Sequence, residues 1–319
     1  MKIDIYRITA GILVYLLASS NGVGAEPRNP LVLLSDFGLT ERFVASMKGV
    51  ALSVDPGLQV HDLSHQIEPF DIWQASYLLA GTIDYWPRGS VFVSVVDPGV
   101  GTNRRSVVAQ TTGGHFVVTP DNGSLTLVAD TQGIVALRQI DETVNRRPGS
   151  ADSQTFHGRD VYAYTGARLA AGVIAFEQVG PLLDSPIVRL DYQPAKRLED
   201  GTIIGTVTHI EMPFGNVVTN IPRSLLDALA LAATDRPGIQ VVIARAGATA
   251  FQQEVPYVPS FGYVDEGLPL LYSDSLQTIG LAVNSGNFSS QYNIKAGAEW
   301  TITLIRAVCP DIPGSTAVC

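Results

Sequence analysis

The stretch SVFVSVVDPGVG occupies residues 90–101. Its first seven residues form an apolar run rich in valine, which predicts a buried β-strand. The run ends at Asp97, and the glycines and proline that follow predict a loop. In α/β sheets, ligands bind outside the carboxyl ends of the strands, and Asp97 stands at such an end. The stretch therefore predicts a buried strand that leads directly into a candidate binding loop.

The N-terminal half of the chain repeats this order of strand, loop and helix. Residues 31–34 (LVLL) form a second apolar run, which ends at Ser-Asp-Phe-Gly at 35–38. Residues 40–53 and 71–85 have apolar side chains at helical spacing, and Thr40 is the predicted N-cap of the first helix. Residues 106–110 and 115–118 predict a β-hairpin. We therefore expect an α/β domain at 28–192, with a mostly parallel sheet flanked by helices and with Asp36 and Asp97 at strand ends.

The pattern changes after about residue 190. Glycine and proline then separate many of the short strand-like runs, which lie at 202–209, 240–244, 268–272, 279–283 and 300–305. Only residues 222–234 have the spacing of a helix. This half predicts a smaller C-terminal β-barrel domain at 200–308, followed by a tail at 309–319.

Composition limits the classes of function. The 319 residues carry a formal net charge of −9, which argues against nucleic acid as a partner and leaves small-molecule chemistry open. The two closely spaced histidines, His61 and His65, lack further cysteine or carboxylate ligands at the usual spacing. We therefore expect no metal site and no cofactor.

The first 25 residues have the features of a signal peptide. Lys2 and Arg7 precede the apolar run ITAGILVYLLAS at 8–19, and small residues end at Ala25. This order predicts cleavage after Ala25 and a periplasmic or secreted protein. The alternative is an uncleaved membrane anchor. No later stretch is long and apolar enough to span a bilayer, so we expect no membrane contact after cleavage.

The chain has two cysteines, Cys309 and Cys319, both close to its C-terminal end. In an exported protein this even number predicts a disulfide that closes a short tail loop. The alternative is a pair of free thiols.

Three segments carry residues suited to chemistry. The first places Asp97 close to Arg104, although on this segment alone a surface turn with a solvated salt bridge is the favoured interpretation. The second surrounds His157 with Phe156 and with Gly-Arg-Asp at 158–160, and histidine accepts protons near neutral pH. A single histidine is nevertheless more often structural. The third runs from 211 to 216 and offers an aromatic stacking face beside an asparagine amide, a combination that also fits an ordinary β-turn.

Together these segments resemble the S-adenosyl-L-methionine (SAM) hydroxide adenosyltransferase family, relatives of fluorinase and chlorinase. The resemblance covers about residues 31–303. Each matching segment is weak alone, but six in the same order are specific. They are Ser-Asp-Phe-Gly (35–38), Asp-Leu-Ser-His (62–65), Val-Asp-Pro-Gly-Val-Gly-Thr (96–102), Phe-His-Gly-Arg-Asp (156–160), Phe-Gly-Asn-Val-Val-Thr-Asn-Ile (214–221) and Leu-Ala-Val-Asn (281–284).

This resemblance implies an α/β N-terminal domain, a C-terminal β-barrel and a homotrimer with active sites between neighbouring subunits. It implies that Asp97, Arg104 and His157 activate a water molecule. Asp36 would hold the ribose hydroxyls, with Phe70 beside the ribose. The full set of implied substrate-binding residues is Asp36, Glu41, Phe70, Phe156, Glu211, Phe214, Asn216, Phe261, Ser275 and Asn284. Of these, Phe214, Asn216 and Phe261 match adenine contacts, and Ser275, Glu41 and Glu211 match contacts to the methionine end.

The implied reaction is hydrolysis of SAM to adenosine and L-methionine. The halogenases carry Tyr and Thr where this chain has Asp97 and Val100, and they lack the histidine that corresponds to His157. The sequence therefore resembles the hydrolase branch. At the methionine end, Leu276 replaces an arginine of the halogenases, a change that weakens the expected contacts there. Two alternatives stay open: a halogenase-like transfer of a nucleophile from solution, and an exported protein that binds adenosine or SAM.

Overall fold

A computed structural model describes residues 28–230 and 238–306 of the chain. The predicted signal peptide at 1–25 and the predicted pair Cys309 and Cys319 lie outside these residues. Both stay predictions, as does the location that follows from the signal peptide.

The N-terminal part is built on a six-stranded mixed sheet, in the order β2-β1-β3-β5-β4-β6. The strands are β1 (Leu31–Ser35), β2 (Val60–Ser64), β3 (Val91–Val95), β4 (Ser106–Thr111), β5 (Phe116–Pro120) and β6 (Ile134–Gln139). The pairings β1–β2, β1–β3 and β3–β5 are parallel. The predicted hairpin is present as β4–β5, and it adds an antiparallel edge together with β6. The sheet is therefore mixed, with parallel strands where the loops of interest begin.

Helices cover both faces of this sheet. They are α1 (Phe43–Val54), α2 (Ile72–Ala80), α3 (Thr126–Thr131), α4 (Glu142–Asn145) and α5 (Tyr164–Ala170). Alternate residues of β1 enter two different cores. Leu31 and Leu33 join the core that includes residues of α1 and α5, whereas Val32 and Leu34 join the core that includes residues of α2 and α3. Burial on both faces explains why the parallel strands are continuous apolar runs.

The predicted N-cap of the first helix is wrong by two residues. The helix begins at Phe43, and its N-cap is Arg42, whose side chain makes no capping hydrogen bond. Residues before it form a turn in which Gly38 has a φ of 63°, so Thr40 lies in the turn. The second helix begins as expected, because the Asp71 side chain accepts a hydrogen bond from the backbone N–H of Gln74.

The C-terminal part is an eight-stranded antiparallel sheet that nearly closes into a barrel. Its strands are β7 (Lys196–Arg197), β8 (Ile203–Glu211), β9 (Asn216–Pro222), β10 (Gly238–Arg245), β11 (Ala248–Pro256), β12 (Pro269–Ser273), β13 (Thr278–Val283) and β14 (Trp300–Arg306). The order is β11-β10-β14-β8-β9-β13-β12, with β7 paired to β8. A bridge between Tyr257 and Leu271 links the two ends of that order.

This part contains one more helix than expected. Helix α6 (Arg223–Ala230) lies within the predicted range, but α7 (Phe288–Tyr292) was not predicted. The α7 segment is too short to show helical periodicity, and the Asn287 side chain starts it by accepting a hydrogen bond from the N–H of Ser290 at 2.7 Å.

Contacts between α2 and β8 help to join the two parts. The indole N–H of Trp73 in α2 donates to the carbonyl of Thr208 in β8 at 2.9 Å. One turn later in α2, the ring of Tyr77 stacks on His209, with 4.5 Å between ring centroids. Across residues 28–230 and 238–306, no helix is long and apolar enough to cross a membrane.

Candidate active site

The candidate site begins where two neighbouring parallel strands end. In β1 and β3, Ser35 pairs with Val95, so the loops that follow both strands leave the same edge of the sheet. Asp36 follows β1 directly, and Asp97 follows β3 after one further residue. Both carboxylates line one cavity of about 330 Å³, which we call the N-terminal cavity. This placement is the one expected for a ligand site in an α/β sheet.

Asp97, Arg104 and His157 are in direct contact. The Nε of Arg104 donates to Oδ1 of Asp97 at 2.8 Å, and its Nη2 donates to Oδ2 at 2.5 Å. The same Nη2 lies 2.9 Å from Nδ1 of His157. All three side chains are largely buried. Residues from three separate segments therefore form one hydrogen-bonded group, as the resemblance implies.

The buried position of His157 disfavours its charged form. Desolvation lowers the pKa of His157, and the positive charges of Arg104 and Arg146 lower it further, against the opposing effect of Glu142 and Asp97. Desolvation opposes the charge of Arg104, but its hydrogen bonds to Asp97 together with charge interactions with Tyr162, Asp97 and Glu142 more than compensate, and the pKa of Arg104 is raised. The group therefore consists of a guanidinium that stays charged and an imidazole that stays neutral near pH 7.

Two further polar residues support this group and were not found from the sequence. The hydroxyl of Tyr162 donates to Oδ2 of Asp97 at 3.4 Å, and it lies 3.2 Å from Oγ of Ser106. Nη1 of Arg104 donates to the same Ser106 at 3.0 Å. Burial raises the pKa of Tyr162, so its phenol keeps the proton that it donates. The signal for Tyr162 is its position five residues after His157, in the π-helical segment Gly158–Ala163.

Aromatic side chains form the rest of the N-terminal cavity. Phe37, Phe43 and Phe156 pack against one another with ring centroids 5.2–5.8 Å apart. Gly158 lines the same cavity. A Cβ atom added to Gly158 would lie 3.2 Å from the Phe37 ring and from the Val95 side chain. A larger residue at 158 would therefore push the helix that follows His157 away from the sheet.

Asp36 fixes the loop that carries the fourth aromatic residue. Its Oδ2 accepts a hydrogen bond from the backbone N–H of Phe70 at 2.9 Å. Phe70 has a φ of 71°, an unfavourable backbone conformation for a bulky residue, and its side chain is 68% exposed at the cavity. An exposed aromatic side chain held in a strained conformation is typical of a binding site.

The C-terminal part carries a second cavity of about 800 Å³, which we call the C-terminal cavity. It brings together five of the predicted substrate-binding residues: Glu211, Phe214, Asn216, Phe261 and Ser275. Nδ2 of Asn216 donates to Oε2 of Glu211 at 3.0 Å, and the ring of Phe261 lies 5.0 Å from that of Tyr272. Phe214 is 66% exposed, so its ring is available for stacking.

Two predicted residues are not placed at these cavities. Glu41 is exposed in the turn before α1 and, within the described chain, lines neither cavity. The Asn284 side chain donates to the carbonyl of Val264 at 2.8 Å, so in this chain it ties two loops together. Leu276 lies beside the C-terminal cavity. It lines a smaller cavity together with Tyr77 and His209.

A serine, a histidine and an aspartate also meet beneath the N-terminal cavity. Oγ of Ser35 lies 2.6 Å from Nδ1 of His65, and Nε2 of His65 lies 3.1 Å from Oδ1 of Asp62. Ser35 is 0% exposed, and its Oγ accepts a hydrogen bond from the N–H of Phe37. A nucleophile must reach its substrate, so this trio supports the Asp36 loop and does not attack. Among residues 28–230 and 238–306, no cluster of three or more metal-ligating side chains is present.

The fold and the two cavities define a two-domain protein with a strand-end site and a barrel-like binding domain. The chain matches the family model of the SAM hydroxide adenosyltransferase N-terminal domain over residues 31–180 and that of the C-terminal domain over residues 205–301. It therefore belongs to the SAM hydroxide adenosyltransferase family, as the sequence motifs indicate.

Its relatives include enzymes of both branches. The chain is 37% identical over 222 residues to the (R)-S-adenosyl-L-methionine hydrolase of Methanocaldococcus jannaschii. The aligned residues cover 67% of this chain and 76% of the relative. It is 31% identical over 297 residues to a fluorinase of Nocardia brasiliensis, covering 85% of this chain and 95% of the relative. The crystal structure of an uncharacterized conserved protein from Thermotoga maritima is similar, with a TM-score of 0.77, 33% identity, and coverage of 86% and 100% of the two chains.

Proposed function

We propose that this protein hydrolyses SAM to adenosine and L-methionine by attack of water on the ribose C5′ carbon. The observation that carries the proposal is Arg104, which is hydrogen-bonded to both Asp97 and His157, two residues that line the N-terminal cavity. This combination suits the activation of a small neutral nucleophile. The hydrolases among the relatives support the same reaction.

In the proposed step, the water oxygen forms a bond to C5′ while the bond from C5′ to sulfur breaks. The electron pair of that bond goes to sulfur, so the cationic sulfonium leaves as the neutral thioether of methionine. Placing water in line with the breaking bond would supply much of the acceleration. Arg104 would stabilise the negative charge that develops on the water oxygen.

The water proton would go to the carboxylate of Asp97. Arg104 and Tyr162 occupy part of the acceptor capacity of that carboxylate, but two carboxylate oxygens have about four lone-pair sites, so capacity remains. Nδ1 of His157 is already the acceptor for Nη2 of Arg104. His157 would therefore orient the guanidinium, and Asp97 would act as the base.

The carboxylate of Asp97 also argues against a halogenase. A halide ion in this cavity would lie beside the negative charge of Asp97 in a partly desolvated site. Repulsion between the two negative charges would raise the energy of the bound halide. A binding protein for adenosine is the other alternative. It would need the stacking and amide groups of the C-terminal cavity, but it would have no use for a buried Asp97–Arg104–His157 group.

The active site would be completed by a second copy of the chain. Within the described residues, the two cavities have no lining residue in common. Closing the two parts of one chain onto each other would break the Trp73 hydrogen bond and the stacking of Tyr77 on His209. Exposed Phe70 and Phe214 at the two cavities would instead meet across an interface, in a homotrimer like the one that the resemblance implies.

One incubation separates these functions. Purified protein would be mixed with each sulfonium epimer of SAM, in chloride buffer and in chloride-free buffer, and the products separated by chromatography with mass detection. Adenosine and methionine in both buffers are the expected products. Formation of 5′-chloroadenosine would identify a halogenase, and unchanged SAM with measurable binding would identify a binding protein.

A further inference from the structure

His157 has a polar partner on each of its ring nitrogens. Nδ1 faces Nη2 of Arg104 at 2.9 Å, and Nε2 faces both Nη2 of Arg146 and Oε1 of Gln154, each at 3.1 Å. A guanidinium can only donate hydrogen bonds, and a neutral imidazole has one acceptor nitrogen. The ring therefore cannot accept from both arginines.

The amide of Gln154 decides which nitrogen carries the proton. Its Nε2 donates to the carbonyl of Ala151 at 3.0 Å, which leaves Oε1 turned towards the imidazole. An amide oxygen only accepts, so Nε2 of His157 is the donor on that side. Nδ1 is then free of a proton and accepts from Arg104.

Arg146 holds this arrangement in place without needing the imidazole as an acceptor. Its Nη2 donates to Oε2 of Glu142 at 2.6 Å and to Oε1 of Gln154 at 3.1 Å. The Arg146 side chain is only 9% exposed, and its Nη1 donates to the carbonyls of Ser150 and Ser153. The guanidinium therefore links the end of α4 to the loop that carries Gln154.

We propose that Glu142, Arg146 and Gln154 form a brace that fixes His157 with its proton on Nε2, so that Nδ1 orients Arg104 for water activation. Arg146 and Gln154 are positioning residues in this account, since both act through His157. The expected effect of the brace on turnover depends on the proposed hydrolysis of SAM. The position of the proton on the His157 ring does not depend on it.

The brace has a consequence for pH dependence. The titratable and charged groups that face His157 are Asp97, Arg104, Glu142, Arg146 and the phenol of Tyr162. A protonated His157 would carry N–H donors on both nitrogens and could no longer accept from Arg104. Activity should therefore fall on the acidic side as His157 takes up a proton. Loss of the Arg146 charge, or a carboxylate in place of the Gln154 amide, would raise the pKa of His157 and move that fall to higher pH.

The test compares the variants Arg146→Gln and Gln154→Glu with the unaltered protein. Gln154 is exposed, so its substitution spares the core. The control is Arg147→Gln. It removes the same charge from the next residue along the chain, whose side chain is exposed. We expect both test variants to move the acidic limb of kcat upward by roughly one pH unit, in the range for a changed neighbouring charge. Their KM for SAM should stay near that of the unaltered protein, and the control should leave the limb in place.

A second readout does not need turnover. Two-bond ¹H–¹⁵N correlation spectra of ¹⁵N-histidine protein distinguish the two imidazole tautomers, and the variant His157→Gln assigns the resonance. We expect the Nε2–H form in the unaltered protein and a higher pKa for His157 in both test variants. An Nδ1–H form, or an acidic limb that neither variant moves, would overturn the brace. An Nε2–H form in a protein without hydrolase activity would keep the brace and reject the proposed function.

Discussion

Nη2 of Arg104 lies 2.9 Å from Nδ1 of His157, although 52 residues separate them in the chain. The contact joins the loop after β3 to the start of the π-helical segment at 158–163. It holds the guanidinium that also binds Asp97. The proposed chemistry depends on this contact, because it fixes a positive charge in direct contact with Asp97 and His157, two residues that line the N-terminal cavity.

Removal of any member of this group should slow hydrolysis more than it weakens binding. We expect Asp97→Ala, Arg104→Ala and His157→Ala each to lower kcat by roughly a hundredfold or more, the range for lost acid–base or electrostatic groups. Steady-state kinetics would measure kcat, and calorimetry with adenosine would measure binding. Arg105→Ala is the matched control, because Arg105 pairs with Asp121 outside the cavity. Near-normal kcat in all three variants would exclude this mechanism.

The proposed site between subunits predicts complementation. Arg104→Ala disables the N-terminal cavity, and Asn216→Trp blocks the C-terminal cavity, so each protein alone should be inactive. Mixed oligomers, formed by co-expression of the two variants, would contain some sites built from two intact cavities. We expect such oligomers to recover a measurable part of the activity. Complete inactivity of mixed oligomers, checked by two affinity tags, would argue for sites within one chain.

His209 should make the contact between the two parts sensitive to acid. Burial lowers its pKa from 6.5 to about 4. The unfolded chain therefore binds this proton at higher pH than the folded chain. The stability contributed by neutral His209 is complete above pH 6.5 and is lost as the pH falls towards 4, at a total cost of about 3 kcal/mol.

Thermal unfolding of His209→Phe would isolate this contribution. Phenylalanine keeps a ring for stacking on Tyr77 but does not titrate. The drop in Tm between pH 7 and pH 4.5 should be smaller in this variant than in the unaltered protein. His61→Phe, at an exposed position in β2, controls for the loss of a histidine. An equal drop in Tm in all three proteins would mean that neutral His209 does not stabilise the contact between the two parts of the chain.

Much of the fold and part of the site could be predicted from the sequence. The apolar runs of β1 and β3 indicated buried parallel strands, and this placed Asp36 and Asp97 at one edge of the sheet. Short elements were harder to predict from the sequence. Helix α7 has too few residues to show a period, and the turn after Gly38 delays α1 beyond Thr40.

The supporting residues of the site could not be predicted from sequence patterns. Gln154 and Arg146 lie in loops without a distinctive motif, and only folding brings both to Nε2 of His157. Asn284 lies in a matching segment, but its amide is used for a hydrogen bond to the Val264 carbonyl. A motif therefore indicates which segments meet at the site, whereas the geometry decides which side chains face the cavity.

Hydrolysis in ¹⁸O-labelled water tests the central claim most directly. Purified protein would be incubated with SAM in H₂¹⁸O, and the adenosine and methionine would be analysed by mass spectrometry. Attack of water on C5′ predicts one ¹⁸O atom in the 5′-hydroxyl of adenosine and none in methionine. Adenosine without the label, label in the amino-acid product, or absence of turnover would each contradict water activation at C5′ by Asp97, Arg104 and His157.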